Sequence, residues 1–169
     1  MSDVYKEKKP YIVFWEGPYQ FSEYEKLKTK RGHVLYQLYG THPIYGSNVL
    51  LYIGLSGLDG RNDIKKRFED HDNWVVDEYD DMTVRLGSIG IYNDKDWMEW
   101  EKLPDEAYEK PSESTIKNIE ALLIYAHQPA YNQKSKGSTK SAKGIRIFNA
   151  GKMGQLLQEL SYLYFVGVD

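Results

Sequence analysis

Arg67 and His71 stand four residues apart in a stretch that predicts a helix, and this spacing puts both side chains on one face. Ile64 and Phe68 fall on the same side, which turns the pair towards the protein interior. An arginine offers donors suited to phosphate oxygens, and a histidine can accept a proton near neutral pH. The pair therefore suits phosphate chemistry, but, taken alone, an ordinary amphipathic helix whose arginine is paired with a carboxylate is the better interpretation.

A glutamate interrupts the apolar stripe of a later predicted helix. Glu120 is flanked by Ile116, Leu123 and Ile124 at the minus-four, plus-three and plus-four positions. A carboxylate at the edge of an apolar face costs free energy unless a cation pairs with it, and Arg67 or a metal ion would be such a cation. A lone carboxylate suits Mg²⁺, which keeps its waters and shares substrate phosphates. A solvent-facing glutamate at a helix edge fits the spacing equally well.

Two tyrosines, Tyr36 and Tyr52, fall on adjacent predicted strands, where cross-strand side chains can meet on one face. A phenol has a pKa of about 10, so it becomes a useful base only where a cation lowers that value. Gly54 closes the second strand and fits a tight turn or a close approach of the backbone to a ligand. Taken alone, the two tyrosines are better interpreted as core residues of a packed hairpin.

Apolar runs and chain breakers predict the elements that position these residues. Strands are predicted at 11–15, 34–39, 49–53, 83–92 and 145–148, and a longish loop joins the second and third. Helices are predicted from 62 or 63 to 71, from 112 to 127, and from Gly151 onwards, where Leu156, Leu157, Leu160 and Leu163 form an apolar stripe. The expected fold is a small α/β (α+β) domain with an antiparallel sheet of three or more strands flanked by helices.

The composition is that of one folded domain. The 169 residues are 41% hydrophobic and 28% charged, and they include no cysteine, which excludes a disulfide framework and a Cys-type zinc site. No apolar run approaches the roughly 20 residues needed to span a bilayer. The polar N-terminal sequence also lacks the apolar stretch of a signal peptide. We therefore expect a cytoplasmic protein with no membrane partner.

Basic residues gather in one stretch of an otherwise acidic chain. The net charge of −3 counts against nucleic-acid binding, because a phosphate backbone attracts basic surface. Residues 134–146 nevertheless contain no acid, and this segregation permits one basic face that contacts phosphates. Its basic residues are Lys134, Lys136, Lys140, Lys143 and Arg146. A solvated loop is the alternative interpretation of the same stretch.

The order of these residues resembles the GIY-YIG nuclease family, metal-dependent enzymes that cut DNA. "YIG" is intact at residues 52–54, and "VLY" at 34–36 stands where the family has "GIY". "DIKKRFEDH" matches the arginine helix, and "IEALLIYAHQPAYNQ" matches the later segment, with Glu120, Pro129 and Asn132 in register. Val34 replaces the first glycine, and the longer gap between the tyrosines implies an enlarged hairpin loop.

The resemblance covers residues 33–133, the predicted nuclease core. It leaves residues 1–32 as an N-terminal extension and 134–169 as a basic loop, a strand and a C-terminal helix.

The resemblance implies a stand-alone, restriction-like DNA endonuclease that uses Mg²⁺, for which Mn²⁺ can substitute. Glu120 would bind the single metal ion, Tyr36 would act as general base, and Tyr52 would position water or phosphate. Arg67 would stabilise the transition state, His71 would hydrogen bond near the scissile phosphate, and Asn132 would brace the site.

Restriction-like members commonly act as homodimers, and a chain this short has no room for a separate DNA-binding domain. The alternative is a non-catalytic module that binds nucleic acid or protein on the same scaffold. The sequence contains no P-loop, Rossmann glycines, zinc spacing or Ser-His-Asp arrangement that would indicate a small-molecule enzyme.

Overall fold

A six-stranded sheet forms the centre of the structure. The computed structural model describes residues 10–28, 32–56, 64, 66–69, 81–91, 111–137 and 142–166. The strands are β1 Tyr11–Gln20, β2 His33–His42, β3 Gly46–Leu55, β4 Thr83–Ile91, β5 Arg146–Gly151 and β6 Glu159–Ser161. The helices are α1 Glu113–His127, α2 Tyr162–Val166 and a 3₁₀ helix, Phe21–Lys26, and residues 64 and 66–69 are also helical.

The strands lie in the order β3-β2-β4-β1-β5-β6, and every neighbouring pair is antiparallel except β1 with β5, which is parallel. The predicted α+β class is confirmed. The assignment of residues 1–32 to an extension is wrong for β1, which lies inside the sheet between β4 and β5. Val13 and Trp15 are fully buried there, so this strand belongs to the core of the domain.

Apolar layers cover both faces of the sheet, and β2 contributes to each of them. Leu35 and Tyr39 face the layer formed with α1, whereas Tyr36 and Leu38 face the opposite layer. The α1 layer includes Val13, Trp15, Ile116, Ile119, Leu122 and Leu123. The opposite layer includes Phe21, Ile64, Phe68, Met82 and Val84. Full burial of each such side chain contributes about 1.5–3 kcal/mol to the free energy of unfolding. Tyr36 packs in the second of these layers and is therefore anchored in the core.

The hairpin of β2 and β3 is longer than the sequence predicted, and its loop is shorter. His42 pairs with Gly46, so only residues 43–45 connect the two strands. Gly46 has a φ of 89°, a left-handed conformation that glycine adopts without strain at such a turn. The longer gap between the tyrosines therefore extends the arms of the hairpin, and the expectation of an enlarged loop is wrong.

Helix α1 begins and ends where the sequence predicted. The Ser112 side chain accepts a hydrogen bond from the Thr115 amide at 3.3 Å and caps the first turn. After the helix, the amide of Tyr131 donates to the Leu51 carbonyl at 2.8 Å, and that of Ala130 donates to the Leu50 carbonyl at 3.2 Å. The chain that follows α1 therefore covers the outer edge of β3.

The helix predicted from Gly151 does not form. Gly151 and Gly154 have φ values of 73° and 66°, and the chain between them turns back to form β6. Leu160 is fully buried whereas Leu157 is 48% exposed, so the leucines do not share a helical face. Between Gly151 and Val166, where the structure describes the chain, α2 with its 5 residues is the only helix.

Within the described ranges, none of the helices combines the length and apolar character that a membrane crossing requires.

Candidate active site

Tyr36 and Tyr52 meet on one face of the β2–β3 hairpin. Tyr36 pairs directly with Gly54, and the ring of Tyr52 stacks against the ring of Tyr36 with centroids 5.9 Å apart and planes 23° apart. A Cβ atom on Gly54 would lie 2.5 Å from the Tyr36 hydroxyl and 2.6 Å from the Tyr52 ring. Gly54 is therefore required because the two rings close over it, and not because of a turn.

Burial and hydrogen bonding distinguish the two phenols. Burial raises the pKa of Tyr36 well above its ordinary value, and Arg67 only partly opposes that rise. Burial and the nearby charge of Glu120 raise the pKa of Tyr52 above its ordinary value, and Arg67 and a hydrogen bond with Tyr36 only partly oppose that rise. The shared hydrogen bond raises the pKa of Tyr36 and lowers that of Tyr52, as expected when Tyr36 donates and Tyr52 accepts. Of the two, Tyr52 is the phenol whose charged form this contact favours.

Glu120 stands at the edge of the α1 core and faces a cavity of about 800 Å³. Its burial raises its pKa to about 7, although Arg67 and Lys117 both act to lower it. The flanking residues Ile116 and Leu123 are fully buried, which explains the loss of solvation. Near neutral pH this carboxyl group is therefore poised between its two protonation states, and a further cation would favour the charged one.

Arg67 provides the positive charge next to these three groups. Its side chain is exposed, and the neighbouring residues Ile64 and Phe68 anchor the helical turn in the core. Its charge lowers the pKa of Tyr36, Tyr52 and Glu120 alike, so the guanidinium lies within electrostatic reach of all three. Arg67 thus combines exposure with proximity to the site, as an anion-binding group requires.

Asn132 holds the wall of the cavity to β3. Its Oδ1 accepts a hydrogen bond from the Ile53 amide at 2.9 Å, and its Nδ2 donates to the Ile53 carbonyl, also at 2.9 Å. The side chain is 6% exposed, so these two bonds lie away from water. Asn132 therefore fixes the residue between Tyr52 and Gly54, which agrees with the bracing role expected of it.

The cavity brings together four of the residues that the sequence singled out, Tyr52, Glu120, Asn132 and Lys134. Its described lining consists of Tyr52, Glu120, Ile124, Ala130, Tyr131, Asn132, Gln133, Lys134 and Ser135. The wall thus carries two phenols, a carboxylate and a lysine, and the ring of Tyr36 stacks against that of Tyr52. His71 and Lys140 lie outside the described residues.

Among the described residues of the basic stretch, Lys134 and Lys136 lie near the cavity, whereas Arg146 lies apart from them. Lys134 lines the cavity, and the Nζ of Lys136 donates to the Ala130 carbonyl at 3.5 Å close by. Arg146 lies on β5, four strands away from β3, where its Nε donates to Glu159 at 2.7 Å. Lys143 is exposed just before that strand. Grouping Arg146 with the cavity lysines was wrong, because β5 carries it to the other side of the sheet.

The groups on the cavity fit a hard divalent cation. In the part of the chain that the structure describes, no three His, Asp or Glu side chains gather into one metal site. The donors available are the Glu120 carboxylate and the neighbouring phenols. Mg²⁺ binds in such places through one or two carboxylates, its own waters and substrate phosphates. Glu120 would be its protein ligand.

Sequence reasoning missed Tyr131 and the tip of the hairpin. Tyr131 lines the cavity, and its ring lies 5.4 Å from the ring of His42. Tyr131 stands immediately before Asn132 in the matched segment, which was a usable signal. The position of His42 depended on the extended arms of the hairpin, and no local pattern predicted them.

In comparisons with family models, curated proteins and solved structures, the chain has no significant match. Its function is therefore inferred from the ordered motif and from the geometry of the cavity.

Proposed function

We propose that this protein is a Mg²⁺-dependent endonuclease that hydrolyses phosphodiester bonds in DNA, with Mn²⁺ able to substitute. The main support is one cavity wall that carries Tyr52, Glu120 and Lys134, with Arg67 within electrostatic reach of the first two. Phosphodiester hydrolysis requires an activated water and positive charge near the phosphate, and these residues are suited to both.

The hydrogen-bonded tyrosine pair accepts the proton of the attacking water. Tyr52 lines the cavity, whereas Tyr36 is 1% exposed and lies behind it. The resemblance gives the base role to Tyr36, but the contacts favour Tyr52 as the phenol that meets the water. Tyr52 acts as the phenolate, and the hydrogen bond that Tyr36 donates to its oxygen stabilises this negative charge until the proton arrives and Tyr52 becomes a neutral phenol. Water attacks the phosphorus, the 3′-oxygen leaves and takes up a proton from solvent, and the new ends are a 5′-phosphate and a 3′-hydroxyl.

Arg67 and Glu120 have different tasks in this reaction. The exposed guanidinium of Arg67 binds the non-bridging phosphate oxygens as negative charge develops on them. Glu120 holds the divalent ion, and its carboxyl group must lose its proton to do so. When bound there, Mg²⁺ supplies positive charge that stabilises the transition state and lowers the pKa of nearby acids. Asn132 maintains the spacing by holding Ile53.

DNA reaches the cavity through its basic rim. Lys134 is exposed on the cavity wall, and Lys136 follows it closely. These two lysines contact the phosphates on either side of the bond that is cut. We further propose that the enzyme is cytoplasmic, and that it acts as a homodimer so that two cavities serve the two strands of a duplex.

Cleavage of supercoiled plasmid tests the proposal. The wild-type protein should nick or linearise the plasmid with Mg²⁺ or Mn²⁺ and remain inactive with EDTA. Glu120→Gln should lower the rate at least about a thousandfold, because a neutral amide is a poor ligand for the ion that stabilises the transition state. Glu113→Gln is the matched control, since Glu113 lies on the same helix in an exposed ion pair with Lys117.

Equal loss of activity in both variants would assign the effect to the helix and not to the cavity. DNA binding by the wild type without cleavage in any divalent ion would support the non-catalytic binding module instead. Ends other than a 5′-phosphate and a 3′-hydroxyl would contradict the direction of attack.

A further inference from the structure

The tip of the β2–β3 hairpin presents two large apolar side chains to solvent. Ile44 is 82% exposed and Tyr45 is 67% exposed, and both lie in the short connection between the strands. Two large apolar side chains exposed next to each other form a small apolar surface that is accessible to a ligand. Neither residue takes part in the reaction proposed above.

Hydrogen bonds and ring stacking hold this tip in one conformation. His42 Nδ1 accepts hydrogen bonds from the Ile44 amide at 3.1 Å and from the Tyr45 amide at 3.2 Å. The His42 ring also stacks on the Tyr45 ring, with centroids 4.5 Å apart and planes 23° apart. Because the backbone of the tip and the Tyr45 ring are held in place, a ligand can bind there with little loss of conformational entropy.

The tip is continuous with the candidate active site. His42 lies between Tyr45 and Tyr131, with 5.4 Å between the His42 and Tyr131 ring centroids. Tyr131 lines the cavity together with Glu120 and Lys134. A row of rings therefore runs from the exposed Tyr45 to the cavity wall, beside the lysine that is proposed to contact phosphate.

We infer that the hairpin tip binds a base that has left the stack of the DNA, with Tyr45 as the stacking surface and Ile44 as the wedge that keeps the gap open. This inference rests on the proposed function. Apolar side chains inserted between base steps, and aromatic rings that stack on unpaired bases, are established ways of binding nucleic acid. The neighbouring lysines favour a polyanion over a neutral protein partner at this surface.

DNA that contains an unstacked base is the class of substrate that the hairpin tip fits. A base leaves the stack at the smallest cost where it is mismatched, next to a branch or single-stranded. DNA with such a defect should therefore bind more tightly than continuous duplex, with the defect at the tip and the neighbouring phosphates at the cavity.

Fluorescence anisotropy with two labelled duplexes, one fully paired and one with a single central mismatch, provides the test. The Glu120→Gln protein is used so that the DNA stays intact. We expect tighter binding of the mismatched duplex, and we expect Ile44→Ala combined with Tyr45→Ala to weaken it about tenfold and remove the preference. Tyr164→Ala is the matched control, because Tyr164 is an 82% exposed tyrosine on α2.

A second readout follows the base itself. With 2-aminopurine at the mismatch, binding should change its fluorescence, and the tip double variant should abolish that change. Melting temperatures of the variants confirm that the exposed substitutions leave the fold intact. Sedimentation of each variant reports the oligomeric state.

Tip variants that bind both duplexes like the parent protein overturn the inference. A tip variant that becomes monomeric while its affinity for DNA is unchanged also overturns it and assigns the tip to contact with a second copy. The proposed function fails separately if the wild type never cleaves with any divalent ion, since tip-dependent binding can then still be observed. Absence of DNA binding by the wild type overturns both.

Discussion

Tyr36 and Tyr39 lie on the same strand and are equally buried, yet their hydroxyl groups have very different surroundings. Each is 1% exposed, and each belongs to one of the two apolar layers of the sheet. Burial raises the pKa of both phenols. Burial and a shifted pKa therefore do not by themselves distinguish a reactive tyrosine from a structural one.

The hydroxyl of Tyr39 is tied into the fold. It donates to Gln37 Oε1 at 2.8 Å and accepts from the Gln155 amide at 2.9 Å. The guanidinium of Arg85 lies over the Tyr39 ring at 4.4 Å, and a Cβ on Gly154 would come within 2.4 Å of the hydroxyl. This tyrosine anchors the turn before β6 and has no space beside it for a substrate.

The hydroxyl of Tyr36 is hydrogen bonded to Tyr52, which connects it to the cavity. Its partner, Tyr52, lines a cavity, and the nearby charges belong to Arg67 and Glu120. Of two buried tyrosines, the functional candidate is therefore the one whose hydroxyl contacts a residue that lines a cavity. The hydroxyl of Tyr39, by contrast, hydrogen bonds to the Gln37 side chain and to the Gln155 backbone amide, and both bonds stabilise the fold.

Removal of single hydroxyl groups should give the largest difference in cleavage rate between the Tyr36–Tyr52 pair and Tyr39. Tyr52→Phe should lower the rate of DNA cleavage by roughly 10²–10³-fold, because a general base contributes on that scale. Tyr36→Phe should have a smaller effect of the same sign, since it loses only the hydrogen bond that stabilises the charged Tyr52. Tyr39→Phe should cleave at the wild-type rate under conditions where it is folded. Equal rates for the Tyr39 and Tyr52 variants would remove the distinction between the two regions.

The pH dependence of stability tests the environment of Glu120. In metal-free buffer the folded state keeps this proton up to a pKa of about 7, whereas the unfolded chain releases it near 4.5. The free energy of unfolding should therefore fall as the pH rises between these values, by roughly 2 kcal/mol after allowance for partial exposure to solvent.

The difference between the wild type and Glu120→Gln, measured by urea unfolding across this range, isolates the contribution of that carboxyl group. The variant should be the more stable protein above pH 7, and the gap should close towards pH 4.5. A wild type that is more stable than the variant above pH 7, with an advantage that disappears as the pH falls, would mean that the carboxylate is held by a stabilising ion pair.

Tyr39→Phe should destabilise the protein where the active-site variants do not. The substitution leaves Gln37 Oε1 and the Gln155 amide without their partner, and a buried unpaired group costs about 1–3 kcal/mol. The midpoint of urea unfolding should fall accordingly. For Tyr36→Phe we expect a change of less than about 1 kcal/mol, because Tyr52 can turn its hydroxyl to the cavity water. A larger loss for Tyr36→Phe would place it among the structural tyrosines.

The smallest expected effect concerns DNA binding on the two sides of the molecule. Lys134→Gln should reduce the slope of log affinity against log salt by roughly 0.9, the value for one phosphate contact with duplex DNA. Lys152→Gln is the control, because Lys152 is an exposed lysine in the turn that Tyr39 anchors. An unchanged slope for Lys134→Gln would remove this residue from the DNA-binding surface.

Much of the site was predictable because its residues are ordered along local patterns. The helix that carries Glu120 has a recognisable cap at Ser112 and an apolar period, so its bounds and its buried face followed from the sequence. The strands of the hairpin also followed from their apolar runs. The stacking of Tyr36 on Tyr52 confirms that these side chains meet on one face.

The remaining features depend on contacts between distant parts of the chain. The interior place of β1 requires β5, which pairs with it through residues such as Ile147 far along the sequence. The residues between 40 and 48 include turn formers, yet most of them lie in strands. They do so because the backbone groups of β2 and β3 hydrogen bond to each other as far as the pair of His42 and Gly46. The leucines after Gly151 have helical spacing, but Gly151 and Gly154 turn the chain there. No local period reveals such outcomes.

The two hydrogen bonds between Asn132 and Ile53 span 79 positions in sequence, and they have a consequence for the order of folding. Contacts of high contact order form slowly, since a long loop must close before any of them stabilises the chain. The hairpin is local and should form early, with its tyrosines already stacked. The wall that carries Glu120 should dock afterwards, so we expect the phenols and the carboxylate to come together after the hairpin has formed.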